Sequence, residues 1–259
     1  MADQHEKVKI FREMHTPGNP FIIPNPWDAG SAQIFEKLGY KALATTSSGF
    51  ASTLGREDYG VTRDEVLIHC ETITSVVEIP VSADLENGFG HTPENACETI
   101  RLAMQTGLVG GSMEDSTGNP AKPVFDEIHA VERIAAAVEA AKTADSDFVL
   151  TARAEEFLYG STDLDGVIQR LQKFSAAGAD VLFAPGLPDI DAVRTVCRSV
   201  DKPVNVLVLG ELANETMENF AEAGVARVSL GGGLAKATYN AAANIAGDVL
   251  TRGTFENLR

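Results

Sequence analysis

Ile79-Pro80-Val81-Ser82-Ala83 runs directly into Asp84-Leu85-Glu86-Asn87-Gly88-Phe89-Gly90, and His91-Thr92-Pro93-Glu94 follows. A short apolar run gives way to an acidic, glycine-rich turn, and the turn ends in a Thr N-cap followed by Pro and Glu in the first helical turn. This is one strand, one loop and one helix start. Seven more apolar runs have the same form: Phe21 to Trp27, Ala42 to Ser47, Val109 to Met113, Phe148 to Ala152, Val181 to Ala184, Val204 to Leu209 and Ala226 to Leu230. Their hydrophobicity is continuous rather than alternating, so they read as strands covered on both faces, and helical connections make such strands parallel. Thr62 before Arg63-Asp64-Glu65 and Asp163 before Leu164-Asp165 mark further helix starts, while Gly39, Gly107, Gly178 and Gly224 close helices shortly before the next strand.

Eight strand-helix units predict a (β/α)8 TIM-type barrel, with residues 1–259 as one domain. A doubly wound sheet would usually carry Gly-x-Gly-x-x-Gly after its first strand, where this chain has Asn25-Pro26-Trp27-Asp28. Lys and Arg number 21 against 37 Asp and Glu, a formal net charge of −16. Such a field repels polyphosphate and anionic lipid, which argues against nucleic-acid and membrane-surface roles. No stretch approaches the roughly 20 apolar residues of a membrane helix, and Met1 to Ile10 is too polar for a signal peptide, so a cytoplasmic location is expected. Cys70, Cys97 and Cys197 lie far apart without Cys-x-x-Cys spacing and read as reduced packing residues.

In a barrel the chemistry sits at the C-terminal ends of the strands. There this chain places Asp84 and Glu86, then Glu114-Asp115, then Arg153-Ala154-Glu155. Carboxylates crowded into a low-dielectric mouth repel one another unless a divalent cation, an arginine or raised pKa values relieve them. Mg2+ suits such oxygen ligands because it needs few direct protein contacts and keeps its waters. Asp84 is the expected direct ligand, with Glu86 and Glu114 holding coordinated water. Thr45-Thr46-Ser47-Ser48-Gly49-Phe50 offers small residues whose backbone amides can approach an anion, although an ordinary strand-to-helix loop has the same composition. Trp27 could wall a pocket or anchor the core. Gly231-Gly232-Gly233 reads as a site of close packing rather than phosphate binding.

In order and spacing, Trp27-Asp28-Ala29, Ser48-Gly49-Phe50, Asp84-x-Glu86-x-Gly88-Phe89-Gly90 and Glu114-Asp115 resemble the substrate and Mg2+ site of the isocitrate lyase/phosphoenolpyruvate mutase superfamily. The resemblance covers essentially the whole chain. It implies a Mg2+ enzyme, with Mn2+ as a substitute, whose ligand is a small 2-oxo or 2-hydroxy carboxylate. Trp27, Ser48, Gly49, Phe50 and Arg153 are implied as substrate contacts, Asp58 as an acidic residue of a gating segment, and Asp58, Glu114 and Arg153 as catalytic. The implied chemistry passes through a metal-stabilised enolate. The resemblance also implies a C-terminal helix exchanged between subunits of a homotetramer, a dimer of dimers.

Two departures narrow the reaction. Where the superfamily's isocitrate and methylisocitrate lyases carry Lys-Lys-Cys-Gly-His, this chain reads Ser116-Thr117-Gly118-Asn119-Pro120-Ala121-Lys122-Pro123, with no cysteine. Where its phosphonate branch carries a histidine, the chain has Ala184-Pro185-Gly186, and Asn119 lies nearer Glu114 than that branch's asparagine should. The expectation is therefore C–C cleavage such as oxaloacetate-type decarboxylation. The alternatives are a phosphonopyruvate or phosphoenolpyruvate mutase or hydrolase, and a non-catalytic 2-oxo acid (2-oxoglutarate) binding protein.

Overall fold

The computed structural model describes residues 3–142 and 147–258. Eight parallel strands, β1 (Phe21–Ile23), β2 (Leu43–Ala44), β3 (Val81–Asp84), β4 (Gly110–Glu114), β5 (Val149–Arg153), β6 (Val181–Phe183), β7 (Val204–Leu207) and β8 (Arg227–Ser229), hydrogen-bond in the order β1-β8-β7-β6-β5-β4-β3-β2. Beyond the ladder, the Ala44 amide donates to the Pro24 carbonyl at 3.1 Å, which joins β2 to the end of β1. The result is the expected (β/α)8 barrel, each of the eight apolar runs supplying one strand.

Between the strands run α2 (Ala29–Lys37), α3 (Ser47–Thr53), α4 (Arg63–Thr74), α5 (Pro93–Ala103), α6 (Glu127–Ala141), α7 (Leu164–Ala176), α8 (Ile190–Ser199) and α9 (Met217–Ala223), while α1 (Gln4–Met14) precedes β1 and α10 (Gly233–Arg252) follows β8. Local signals set the helix ends. Thr62 and Thr92 form reciprocal capping boxes with Glu65 and Asn95, and Asp163 accepts from the Gly166 amide. Gly39, Gly107, Gly178 and Gly224 all adopt positive φ, as their positions before strands required. Among the described residues no helix is long and apolar enough to cross a membrane. The three cysteines are free, and burial pushes the Cys70 and Cys197 thiols up to about 12, as suits packing residues.

The larger core fills the annulus between strands and helices, where Leu43, Ile100, Ile134, Leu150, Phe174 and Leu182 are fully buried. A second, smaller core seals the barrel floor, where Val8 and Phe11 of α1 meet Ile23, Val109, Val149 and Val181. Close approach there depends on Gly110, since a Cβ at that position would stand 2.6 Å from the Val149 carbonyl oxygen and 3.1 Å from the Phe11 ring. With the floor closed, the only ends of the strands free to build a site are the C-terminal ones.

Just above the floor, His15 is buried, with Nδ1 2.8 Å from the Phe11 carbonyl oxygen and Nε2 3.2 Å from Nη1 of Arg227. A guanidinium can only donate, so Nε2 accepts and Nδ1 carries the proton. Burial, and then the charge of Arg227, lower the His15 pKa to about 3. A depressed folded-state pKa contributes stability that is complete above the unfolded value near 6.5 and is lost as pH falls from there toward 3. On the order of 4 kcal/mol is at stake at the acid end. Urea unfolding at pH 7, 5 and 4 is expected to show this loss in the wild type, and His15→Gln, which can accept from Arg227 without titrating, is expected to reduce it; parallel profiles would exclude the assignment.

Candidate active site

Asp84 closes β3, and its carboxylate is fixed from two sides. Oδ2 accepts from the Ser47 hydroxyl at 2.9 Å and the Ser47 amide at 3.3 Å, Oδ1 accepts from the Glu86 amide at 3.3 Å, and the Asp84 amide donates to Thr45 Oγ1 at 3.0 Å. Glu86 adopts φ +48°, Gly88 +78° and Phe89 +56°, a left-handed turn that folds the chain back and buries the Glu86 carboxyl. Its Oε1 has no hydrogen-bond partner, and its pKa is pushed up to about 8 by burial first and then by Asp84 and Asp58.

Glu114, at the end of β4, accepts from the Tyr59 hydroxyl on Oε1 and faces Nη1 of Arg153 at 3.3 Å on Oε2. Arg153 ends β5, pairs through Nε with Glu155, and lies 3.7 Å from Asp84 through Nη1 and 5.2 Å above the Phe183 ring. One guanidinium therefore stands among five carboxylates: Asp58, Asp84, Glu86, Glu114 and Glu155. Burial alone would lower the Arg153 pKa, but Glu155, Glu114 and Asp84 hold it well above the ordinary value. Glu114 and Glu155 are raised by burial despite Arg153. Asp58 keeps an exposed face, yet packing around its carboxyl and the charge of Asp84 raise it too.

A cavity of about 140 Å³ opens at this mouth, with Asp58, Asp84, Arg153, Ser47 and Ser48 at its rim. Glu114 stands behind Arg153, and Glu86 faces an adjoining recess walled by Tyr59, Arg63 and His91. The acidic residues and arginine singled out in the sequence thus come together. Trp27, Gly49 and Phe50 do not line the cavity. Trp27 packs edge-on against Phe35 at 6.1 Å between ring centroids, and Phe50 stacks on His69 at 3.9 Å. The Gly49 amide donates to Thr46 Oγ1 at 3.3 Å and the Phe50 amide to the Thr46 carbonyl at 3.0 Å, so α3 itself engages the donors expected for a ligand. Of the three glycines after β8, Gly231 and Gly232 pack closely, a Cβ standing 2.8 Å from Leu207 and 2.6 Å from Ser48 Oγ, whereas a Cβ on Gly233 would meet nothing within 4 Å.

Tyr59, Ser47 and Glu155 joined the site without being singled out as site residues. Tyr59 follows Asp58 directly, and Glu155 is two residues, one strand-period repeat, beyond Arg153. Asp115 supports the site from the helix side. Its Oδ1 accepts from the Glu155 amide at 2.9 Å and its Oδ2 from Arg170 at 3.0 Å, while Arg170 Nε reaches Glu156 at 2.8 Å. That clamp ties the ends of β4 and β5 to α7. The 116–124 segment is a self-braced hairpin, with Ser116 bridged to Val124 and the Thr117 amide donating to the Pro123 carbonyl at 2.9 Å.

Among the described residues no three His, Cys, Asp or Glu side chains converge as a ready-made metal cage. An ion that takes one direct carboxylate and retains its waters does not need one. The donors present are hard carboxylate oxygens with a negative excess, and Glu86 Oε1 is buried without a partner, so the residues fit Mg2+.

A barrel whose mouth gathers carboxylates around one arginine has the composition of an enzyme site. The sequence matches the model of the phosphoenolpyruvate phosphomutase family over residues 11–250, and the chain belongs to that family. A crystal structure from Burkholderia cenocepacia J2315, provisionally described as a lyase/mutase, is 46% identical with a TM-score of 0.94 over 98% of this chain and 91% of its own. The 2-methylisocitrate lyase of Escherichia coli K12 is 32% identical over 86% of this chain and 77% of its own length. The oxaloacetate decarboxylase of Pseudomonas entomophila L48 is 26% identical over 92% and 84%.

The Asp115–Arg170 clamp makes a stability prediction. Arg170→Met leaves a buried carboxylate unpaired and is expected to cost about 3–5 kcal/mol in urea unfolding. Asp115→Asn, which keeps the shape and removes the charge, is expected to cost less; equal losses would contradict the ion-pair account.

Proposed function

We propose that this protein is a Mg2+-dependent lyase that cleaves the C–C bond β to the carbonyl of a small 2-oxo acid, with decarboxylation of an oxaloacetate-type acid as its reaction. The observation that carries the reading is Arg153 held among Asp84, Glu114 and Glu155 at the cavity rim. Asp84 directly, and Glu86 and Glu114 through water, would hold a divalent ion, Mg2+ or Mn2+ as a substitute, which when bound would polarise the 2-oxo group. Arg153 binds the substrate anion, and Glu114 and Glu155 fix the direction of its guanidinium. Ser48, whose hydroxyl lies 3.2 Å from Thr46 Oγ1 at the cavity rim, orients the carboxylate. Trp27, Gly49 and Phe50 act by shaping the loop that presents Ser48.

Decarboxylation asks little else of the chain. The bond between C3 and the leaving carboxylate breaks, CO2 departs, the electron pair passes to the 2-oxo oxygen, and C3 then takes a proton. Asp58, whose carboxyl at the rim is raised from its ordinary value by burial and then by Asp84, holds that proton in this reading. No cysteine on 116–123 is needed, which favours this reaction over the isocitrate-type cleavage that the same superfamily performs with a loop cysteine. The family match favours a second reading, phosphonopyruvate or phosphoenolpyruvate mutase or hydrolase chemistry, which phosphorus NMR of protein incubated with phosphonopyruvate distinguishes.

Asp84→Ala is expected to abolish Mg2+-dependent turnover of oxaloacetate while leaving thermal unfolding close to wild type. Arg153→Ala is expected to weaken apparent substrate affinity by a charge-assisted contact, roughly 1.5–3 kcal/mol. Wild-type protein that releases no CO2 from oxaloacetate with Mg2+ would overturn the reading. The proposal extends to assembly. Only Ala235 of α10 is buried against its own barrel, which leaves an alanine-rich helix for a neighbouring subunit in a dimer of dimers. Sedimentation as a monomer would exclude it.

A further inference from the structure

Below the rim, the cavity continues into the barrel lumen, where Ser82, Ser112, Asn205, Arg227 and Ser229 line it alongside apolar residues such as Ile23 and Leu207. Arg227 is the unusual member. It is buried, and its Nε donates to Asn205 Oδ1 at 2.8 Å, Nη1 to His15 Nε2 at 3.2 Å and Nη2 to Thr151 Oγ1 at 3.1 Å. Every one of these partners is neutral, and among the described residues Arg227 forms no ion pair. A guanidinium has five N–H donors, so two are left over.

Of the other arginines with little exposure, two have counter-charges, and the third, Arg133, has neutral hydrogen-bond partners but an aromatic ring against its guanidinium. Arg153 and Arg170 each face carboxylates, and Arg133 donates to the Asn87 and Thr92 carbonyls and lies 4.6 Å over the Phe125 ring. Arg227 has neutral side chains on one side and open cavity on the other. Burial lowers its pKa to about 9, which still leaves it charged at neutral pH. A buried cation without a counter-charge is costly, and the cheapest relief is an anion that enters from the cavity.

We propose that Arg227, oriented by Asn205 and Thr151, is a subsite for the distal carboxylate of a small dicarboxylate whose other end lies at the Asp84–Arg153 rim; this deepens the function proposed above and rests on it for the position of that other end. The cavity sets the length. An apolar cavity of about 150 Å³ holds a benzene-sized molecule. A lumen of about 140 Å³ with an open rim therefore takes a three- or four-carbon diacid and leaves little room for a branched one.

The test is a binding measurement, not turnover. Isothermal titration of the full chain with malonate, and with acetate as the one-carboxylate control, is run in Mg2+ and again in chelator. Wild type is expected to bind malonate at least tenfold more tightly than acetate. Asn205→Asp places a fixed carboxylate beside Arg227 Nε and is expected to weaken malonate at least tenfold while its melting temperature stays equal to or above wild type. Arg227→Met is the second variant and is expected to show the same loss of malonate with acetate little changed. Malonate affinity unchanged in Asn205→Asp, or no preference for malonate over acetate in wild type, would overturn the subsite. Malonate binding that depends on Arg227 in a protein that decarboxylates nothing would overturn only the reaction, so the two failures are distinguishable.

Discussion

The Arg153 guanidinium is the constraint on which the mouth of the barrel depends. Three strand ends, β3, β4 and β5, deliver Asp84, Glu114 and Arg153 so that both carboxylates lie within 3.7 Å of the guanidinium, and Glu155 closes the set. Without that cation, carboxyl groups buried as deeply as Glu114 and Glu155 would be raised further still or turn away from each other. With it they stay packed together, although burial still raises both above their ordinary values. The parallel barrel makes this arrangement cheap in backbone terms. Adjacent strands in register bring their last residues side by side, so Glu114 pairs with Arg153 and Asp84 with Ser112 simply through the ladder.

The second constraint lies on the helix side of the same strand ends. The Asp115–Arg170–Glu156 clamp ties them to α7, and the Asp115 carboxylate accepts the Glu155 amide. Glu155 is thus held by its backbone as well as by Arg153. The neighbours Glu114 and Asp115 therefore have opposite roles, one facing the arginine at the cavity and the other the arginine of α7. A single Glu-Asp dipeptide joins the reacting layer to the layer that supports it.

Much of this was legible in the sequence because it follows from periodicity. Eight apolar runs with polar ends fix where strands stop, and a barrel puts every stop at one mouth; Asp84, Glu86, Glu114 and Arg153 could be placed there from spacing alone. What spacing does not carry is the direction of a side chain inside a loop. Phe50 and Trp27 are next to the right turn but point away from the cavity, because large rings lower the free energy more against His69 and Phe35 than over an acidic opening. Likewise, the Gly49 and Phe50 amides look free in a Ser-Ser-Gly turn and are engaged once Thr46 caps α3. Tyr59 reaches Glu114 across a separation of 55 residues, which no local pattern encodes.

Arg227 and Asn205 had a signal of a different kind. Each interrupts an apolar run, Val204-Asn205-Val206 and Ala226-Arg227-Val228, at a position whose alternation faces the barrel axis. Barrel interiors are usually packed with branched apolar side chains, so a lone arginine there needs its own account. Packing does not supply one, because Asn205, Thr151 and His15 satisfy only part of the guanidinium and none of its charge. The lumen thus has a cation at its base and carboxylates around its rim. A molecule that lies along that axis is matched at both ends only if it carries negative charge at the bottom and either binds a metal or offers an anion to Arg153 at the top. A diacid with an oxo group at one end meets both conditions, whereas a monoacid leaves Arg227 uncompensated.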